Sequence, residues 1–141
     1  MKILFVCRVN VGRSQMAAAF YNALTKSHDA TSAGFSVGEH AGKKLSEPVI
    51  GSTSHHIVRA MKEKGLDLAD NERTPITPEM IERSDKIIVL TKKEESPEYL
   101  QKSPKTEFWE NIAEMKGKSY EFNQKGRDQI EQKVKELIQR L

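Results

Sequence analysis

The amino-acid sequence predicts an α/β fold in which a parallel β-sheet carries helices on both faces. Three observations lead there. Residues 2–6 and Lys86–Leu90 form two apolar runs of strand length, the pattern of strands covered on both sides as in parallel sheets. Between and after them lie segments whose apolar residues recur at helical spacing. Strands and helices then alternate along the chain, which calls for right-handed crossovers between parallel strands.

Each element has its own signature. The run at 2–6 is placed as the central strand. A helix follows, with Met16, Ala17, Phe20, Tyr21 and Leu24 at helical spacing and small alanines at 17–19 for close packing. Ala30–Ala33 reads as a short second strand ended by Gly34. The stretch from 35 to 53 is read as a mobile connection, rather than a pocket wall carrying Lys43 and Lys44 as lures for anions. Ser52, Thr53 and Ser54 supply N-cap candidates for a helix with Ile57, Val58 and Met61 on its apolar face and Gly65 as its stop. Thr77-Pro78 marks the start of a short helix. Lys86–Leu90 is the next buried strand, Lys92-Lys93 a solvated turn beyond it, and Thr106–Trp109 the candidate for a fourth strand. Ile130, Val134, Leu137, Ile138 and Leu141 make the apolar stripe of a docked C-terminal helix.

Composition narrows the function classes. A chain of 141 residues suits one domain, spanning 1–141, with one sizeable core. Hydrophobic residues at 37% and charged residues at 30%, without a large excess of one sign, describe a folding chain. The net charge of +3 comes from 23 basic and 20 acidic residues spread along the sequence, which argues against nucleic acid as a partner and suits small anionic substrates. No apolar run reaches transmembrane length and the N-terminal run is too short for a signal peptide, so a cytoplasmic protein with no membrane partner is expected. A lone cysteine excludes an internal disulfide. His55 and His56 are adjacent and so expected to point apart on a helix, leaving no metal site.

The one cysteine lies in "ILFVCRVNVGRSQM", directly after the first strand and before a helix. Ligands of open parallel sheets bind at the carboxyl ends of strands, and the positive end of a helix dipole favours a thiolate. Five residues separate Cys7 from Arg13, enough for one tight loop in which the main-chain N–H groups of Arg8, Val9, Asn10, Val11 and Gly12 turn inward as an oxyanion-binding nest. Gly12 lets the loop close, and Asn10 tolerates left-handed dihedrals and can brace the loop with its side chain. Arg13 offers a planar, permanently charged fork to two oxygens of phosphate or arsenate. Ser14 is placed to donate a hydrogen bond to the sulfur, and the Arg8 side chain to draw anions to the mouth. A buried structural cysteine is the bland alternative, but it leaves the Asn, Gly, Arg and Ser that follow without a purpose.

The stretch "VCRVNVGRSQMA" resembles the phosphate-binding loop of the low-molecular-weight protein tyrosine phosphatase superfamily, which includes thioredoxin-type arsenate reductases. Similarity extends to "TSAGF", "MKEKGLDL" and "TPEMIERSDKIIVL". The resemblance implies a three-layer sandwich, phosphotyrosine protein phosphatase I-like, with a four-stranded parallel sheet flanked by helices on both faces. It implies Cys7 as a nucleophile that forms a thiophosphate, Arg13 as oxyanion clamp, Ser14 as thiolate stabiliser and Asn10 as the residue that holds the loop. It implies a phosphorylated protein or a small phosphomonoester as substrate, with no metal and no cofactor.

The chain departs from the family pattern in three places. The Asp-Pro pair that usually supplies a general acid is missing. Lining up the following Gly-Lys puts Glu114-Met115 there, so Glu114 becomes the candidate acid and Glu110 a weaker one. Gly12 stands where relatives carry a second cysteine, so no disulfide can protect Cys7. The aromatics nearest the acid, Trp109 and Tyr120, are read as core residues rather than as holders of a phenyl ring. An arsenate reductase is the alternative enzyme, because Ser14-Gln15-Met16 resembles that branch. With no further cysteine in "TKKEESPEYL", an external thiol would have to resolve its arsenate adduct. A weakly active phospho-ligand binding protein is the third reading.

Overall fold

The first strand is buried at every position because strands pair along both its edges and helices cover both its faces. In the computed structural model, which describes residues 1–141, β1 (Ile3–Cys7) pairs in parallel with β2 (Ala30–Gly34) on one side and β3 (Lys86–Val89) on the other. β4 (Thr106–Phe108) adds to the far edge of β3, giving a four-stranded parallel sheet of order β2-β1-β3-β4. The chain leaves β1 toward one edge and returns to the other, so a crevice opens at the carboxyl end of β1, where Cys7 sits.

Alternation along the strands builds two cores. Ile3 and Phe5 of β1, with Ile88, face α1 (Arg13–Thr25), α2 (Ser54–Lys62) and α5 (Tyr120–Arg140). Leu4 and Val6, with Ile87 and Val89, face the opposite way, toward α3 (Pro78–Arg83) and α4 (Glu98–Gln101) through Met80, Ile81 and Leu100. The result is three layers: three helices, the sheet, two short helices. Residues 13–18, Phe20 and Tyr21 of α1 are buried because alanines at 17 and 18 let the helix lie close to the sheet while α5 covers its other side, whereas Leu24, expected on the apolar stripe, is exposed in its last turn.

Local signals account for most boundaries. Thr77 caps α3 by accepting from Met80 N at 3.3 Å, with Pro78 in the first turn. Ser119 caps α5 by accepting from Phe122 N at 3.1 Å. Thr53 precedes α2 without a side-chain cap, and Ser52 Oγ instead accepts from Ser54 N at 3.2 Å. Gly34 lies inside β2 rather than beyond it. The 3₁₀ turn Gly38–His40 lies in the stretch read as connection, the 3₁₀ turn Lys93–Glu95 begins at the turn expected after β3, and α4 lies where no element was expected.

Three expectations are corrected. Leu141 is outside α5 and half exposed, because the helix ends at Arg140 and the stripe loses its support there. His55 and His56 do not point apart: their ring centroids are 4.2 Å apart, and the His56 ring also meets Tyr120, with centroids 5.7 Å apart, which draws it to the α5 side. The segment 35–53 is a fastened wall rather than a free connection. Arg73 is buried and donates to the carbonyls of Lys43 at 3.2 Å and Lys44 at 2.8 Å, while Ser54 Oγ donates to Leu45 O at 2.8 Å.

No helix is long and apolar enough to cross a membrane.

Candidate active site

The sulfur of Cys7 lies 3.0 Å from Ser14 Oγ, at the start of α1, beneath a loop that returns to the same strand end. Hydroxyl orientation there follows from a chain of fixed donors. Thr74 N can only donate, and it reaches Asn10 Oδ1 at 2.8 Å, so the other end of the Asn10 amide is the NH₂. That Nδ2 donates to Ser14 Oγ at 2.8 Å and to Ser32 Oγ at 3.0 Å. Ser14 Oγ is thereby an acceptor toward Asn10, and its single hydrogen is left for the sulfur. Asn10 is fully buried and has φ 58°, a left-handed conformation that asparagine accepts more readily than most residues.

Gln15, unassigned by the sequence reading, holds Asn10 from behind. Its Nε2 donates to Asn10 O at 3.2 Å, Asn10 Oδ1 at 3.1 Å and Glu72 O at 3.0 Å, while Asn71 Nδ2 donates to its Oε1 at 3.1 Å. Gly34 allows the loop to approach β2. A Cβ there would stand 2.8 Å from Arg8 O and 2.9 Å from Asn10 N, both main-chain atoms. Main-chain bonds from Phe35 N to Cys7 O and from Ser36 N to Arg8 O complete the seam.

The main-chain N–H groups from Arg8 to Ser14 find no main-chain acceptor. A row of unpaired donors at a helix N-terminus is an anion-binding surface, because each N–H brings a partial positive charge that water or an oxyanion must satisfy. Arg13 is buried and sends Nη1 to Ile112 O at 3.3 Å, which holds its guanidinium beside the same cavity.

That cavity brings together Cys7, Gly12, Arg13 and Glu114, with walls that include Val11, Val37, Ile57 and Met115. Val9 lines it too. Glu114 is exposed at the rim, while Met115 beside it is buried. Of the remaining candidates, Arg8 lies outside the lining and its side chain reaches Glu95 at 3.4 Å. Glu110 is also outside: its Oε2 accepts from Lys93 N at 2.9 Å, capping the turn after β3.

No Phe, Tyr or Trp side chain lines the cavity. Trp109 is buried against Phe5 with centroids 6.0 Å apart and donates Nε1 to Glu107 at 2.8 Å, the core role expected. Tyr120 is half-buried, with Arg59 4.0 Å above its ring and its hydroxyl on Glu63. Lys43 and Lys44 do not reach the cavity, but Arg73 does, and burial lowers the Arg73 pKa, partly opposed by Glu47. Arg73 was not singled out from sequence, where one arginine among many carries no signal. Its burial alone identifies it.

Comparison with known proteins agrees with the fold. A family model described as low molecular weight phosphotyrosine protein phosphatase matches residues 2–141. YwlE arginine phosphatase from Geobacillus stearothermophilus is 25% identical with a TM-score of 0.78, over 99% of this chain and 91% of that one. A low molecular weight protein tyrosine phosphatase from T. tengcongensis is 23% identical with a TM-score of 0.81, over 100% and 99% of the two chains. Wzb from Vibrio vulnificus, in complex with benzylphosphonate, is 20% identical with a TM-score of 0.80, over 99% and 98%. No curated protein matches the sequence.

Proposed function

The chain belongs to the low molecular weight phosphotyrosine protein phosphatase family, and from that premise we propose that it hydrolyses phosphomonoesters through a cysteinyl-phosphate formed on Cys7. As a cysteine-based phosphatase it has one thiol to work with, since Cys7 is its only cysteine. The observation that carries the finer reading is the run from Thr74 N through Asn10 to Ser14 and the Cys7 sulfur, set under unpaired loop N–H groups.

The steps balance with groups in the cavity. The Cys7 thiolate attacks phosphorus, an S–P bond forms and the P–O bond to the leaving group breaks. Loop N–H groups and the Arg13 guanidinium hold the equatorial oxygens, whose charge they meet without reorganising. Protonated Glu114 gives its proton to the leaving oxygen, then as a carboxylate takes one from the water that attacks the cysteinyl-phosphate. Phosphate departs and the thiolate returns, with the Ser14 hydroxyl donating to it.

The substrate is a phosphorylated protein or a small phosphomonoester. Aliphatic walls, with His40 and no Phe, Tyr or Trp in the lining, favour no particular ring. Turnover of para-nitrophenyl phosphate by the native chain and by Cys7→Ala tests the reading: activity that survives in Cys7→Ala refutes it. Arsenate fits the same loop, and adding an external thiol tests the alternative directly. Thiol-dependent arsenite production with no phosphate ester hydrolysis would replace phosphatase by arsenate reductase.

A further inference from the structure

We infer that Met115, seated between Gly12 and Gly126, is a positioning residue that sets where the Glu114 carboxylate stands, an inference resting on the reading of Glu114 as the general acid. Gly126 lies inside α5, where glycine is the poorest helix former after proline. Its use becomes clear from its neighbour. A Cβ at 126 would stand 2.6 Å from Met115 Sδ, 3.3 Å from Cγ and 3.5 Å from Cε. On the opposite side, a Cβ at Gly12 would lie 3.5 Å from Met115 Cε and 3.2 Å from Ile57 Cδ1. The Met115 thioether therefore fills a slot that Gly126 leaves open and lies within ordinary contact of the loop at Gly12, and Met115 is only 3% exposed.

The slot joins three parts of the site: the loop that carries Cys7, the helix α5, and the segment that carries Glu114. Residues 112–115 form no helix or strand, so their position depends on ties to the rest of the chain. Arg13 Nη1 holds Ile112 O at 3.3 Å, Gln129 Nε2 holds Asn111 O at 3.0 Å, and Thr53 Oγ1 accepts from Gly117 N at 3.1 Å. Those bonds flank Glu114, and the Met115 side chain is the buried contact next to it. In the pattern this chain resembles, a proline follows the acid and stiffens the backbone through its own ring. Methionine is flexible, so here the stiffness comes from the slot.

The test compares kcat/KM for phenyl phosphate, whose leaving oxygen needs a proton, with that for dinitrophenyl phosphate, whose leaving oxygen does not. Native protein, Gly126→Ala, Met115→Ala and Glu114→Gln are measured together with their thermal midpoints. Gly126→Ala is expected to lower the phenyl phosphate value at least about tenfold, as displacement of a general acid does, and to change the dinitrophenyl phosphate value by no more than about twofold. It should also fail to raise the thermal midpoint, although alanine is the better helix former, and combining it with Met115→Ala should recover that gain. Unchanged leaving-group dependence in Gly126→Ala, with Glu114→Gln still selectively slow on phenyl phosphate, overturns the positioning role and leaves the acid reading intact. Glu114→Gln without any selective loss overturns the acid reading and this inference with it. If Gly126→Ala does not fold, Met115→Ala carries the same leaving-group test, since it empties the slot without a clash.

Discussion

Replacing Asn10 separates its two jobs, holding the loop and turning the Ser14 hydroxyl toward the sulfur. In Asn10→Ala, Thr74 N loses its acceptor at 2.8 Å, and Ser14 and Ser32 lose a donor at 2.8 and 3.0 Å. Leaving such a buried group unpaired costs about 1–3 kcal/mol. An alanine at φ 58° adds about 1 kcal/mol of left-handed strain, which Asn10→Gly avoids. The expected losses are therefore about 3 kcal/mol for Ala and about 2 kcal/mol for Gly, or thermal midpoints lower by about 10 and 6 °C. Urea unfolding checks both values. The functional part is read from kcat/KM with para-nitrophenyl phosphate. Both variants should lose about tenfold or more, because a Ser14 hydroxyl no longer held by Asn10 can turn from the sulfur. A double variant, Asn10→Gly with Ser14→Ala, should lose no more than the worse single one. Fully additive losses would refute the claim that Asn10 acts through Ser14.

Other perturbations test other joints. Gly34→Ala puts a methyl 2.8 Å from Arg8 O and should destabilise by about 1–3 kcal/mol with a fall in kcat, both visible in one preparation by urea unfolding and steady-state assay. Arg73→Met removes the guanidinium bonds to the Lys43 and Lys44 carbonyls, which keep their main-chain donors at residue 73 and at Glu47, so it should cost about 1–3 kcal/mol and expose residues 38–53 to limited proteolysis while raising KM more than it lowers kcat. The acid limb of stability should report Glu107. Burial raises its pKa, but hydrogen bonds from Arg140, Trp109 and Lys86 outweigh this and hold it at about 2. A carboxyl depressed in the folded state adds stability above its unfolded pKa of about 4.3 and loses it as pH falls toward 2, about 1 kcal/mol after solvent screening. Glu107→Gln should therefore cost that much at pH 7 and little at pH 2, by urea midpoints at the two pH values.

What the sequence made legible follows from which interactions are local. Ile3–Val6 and Ile87–Leu90 are apolar on consecutive residues because both faces are covered, so the strands announce themselves. Thr77-Pro78 states a helix start within two residues. Asn10 at positive φ and the Cys7 to Ser14 contact lie within eight residues of one another, and the spacing alone brought them together. Arg73 acts on carbonyls some thirty positions earlier, and Gly126 matters for Met115 eleven residues before it. Neither pairing leaves a trace in periodicity or composition. The stretch 35–53 looked unattached for the same reason: its ties come from Arg73 and from the buried Leu45, whose significance depends on the folded chain.

In the proposed reaction Cys7 carries the phosphoryl group between substrate and water. Mixing the protein with dinitrophenyl phosphate, quenching within milliseconds and measuring intact mass tests it most directly. The expected result is a burst of dinitrophenol matched by protein heavier by one phosphoryl group, the label mapping to the peptide that contains Cys7 and disappearing in Cys7→Ala. Steady release of phosphate with no covalent adduct, or an adduct elsewhere in the chain, would contradict it.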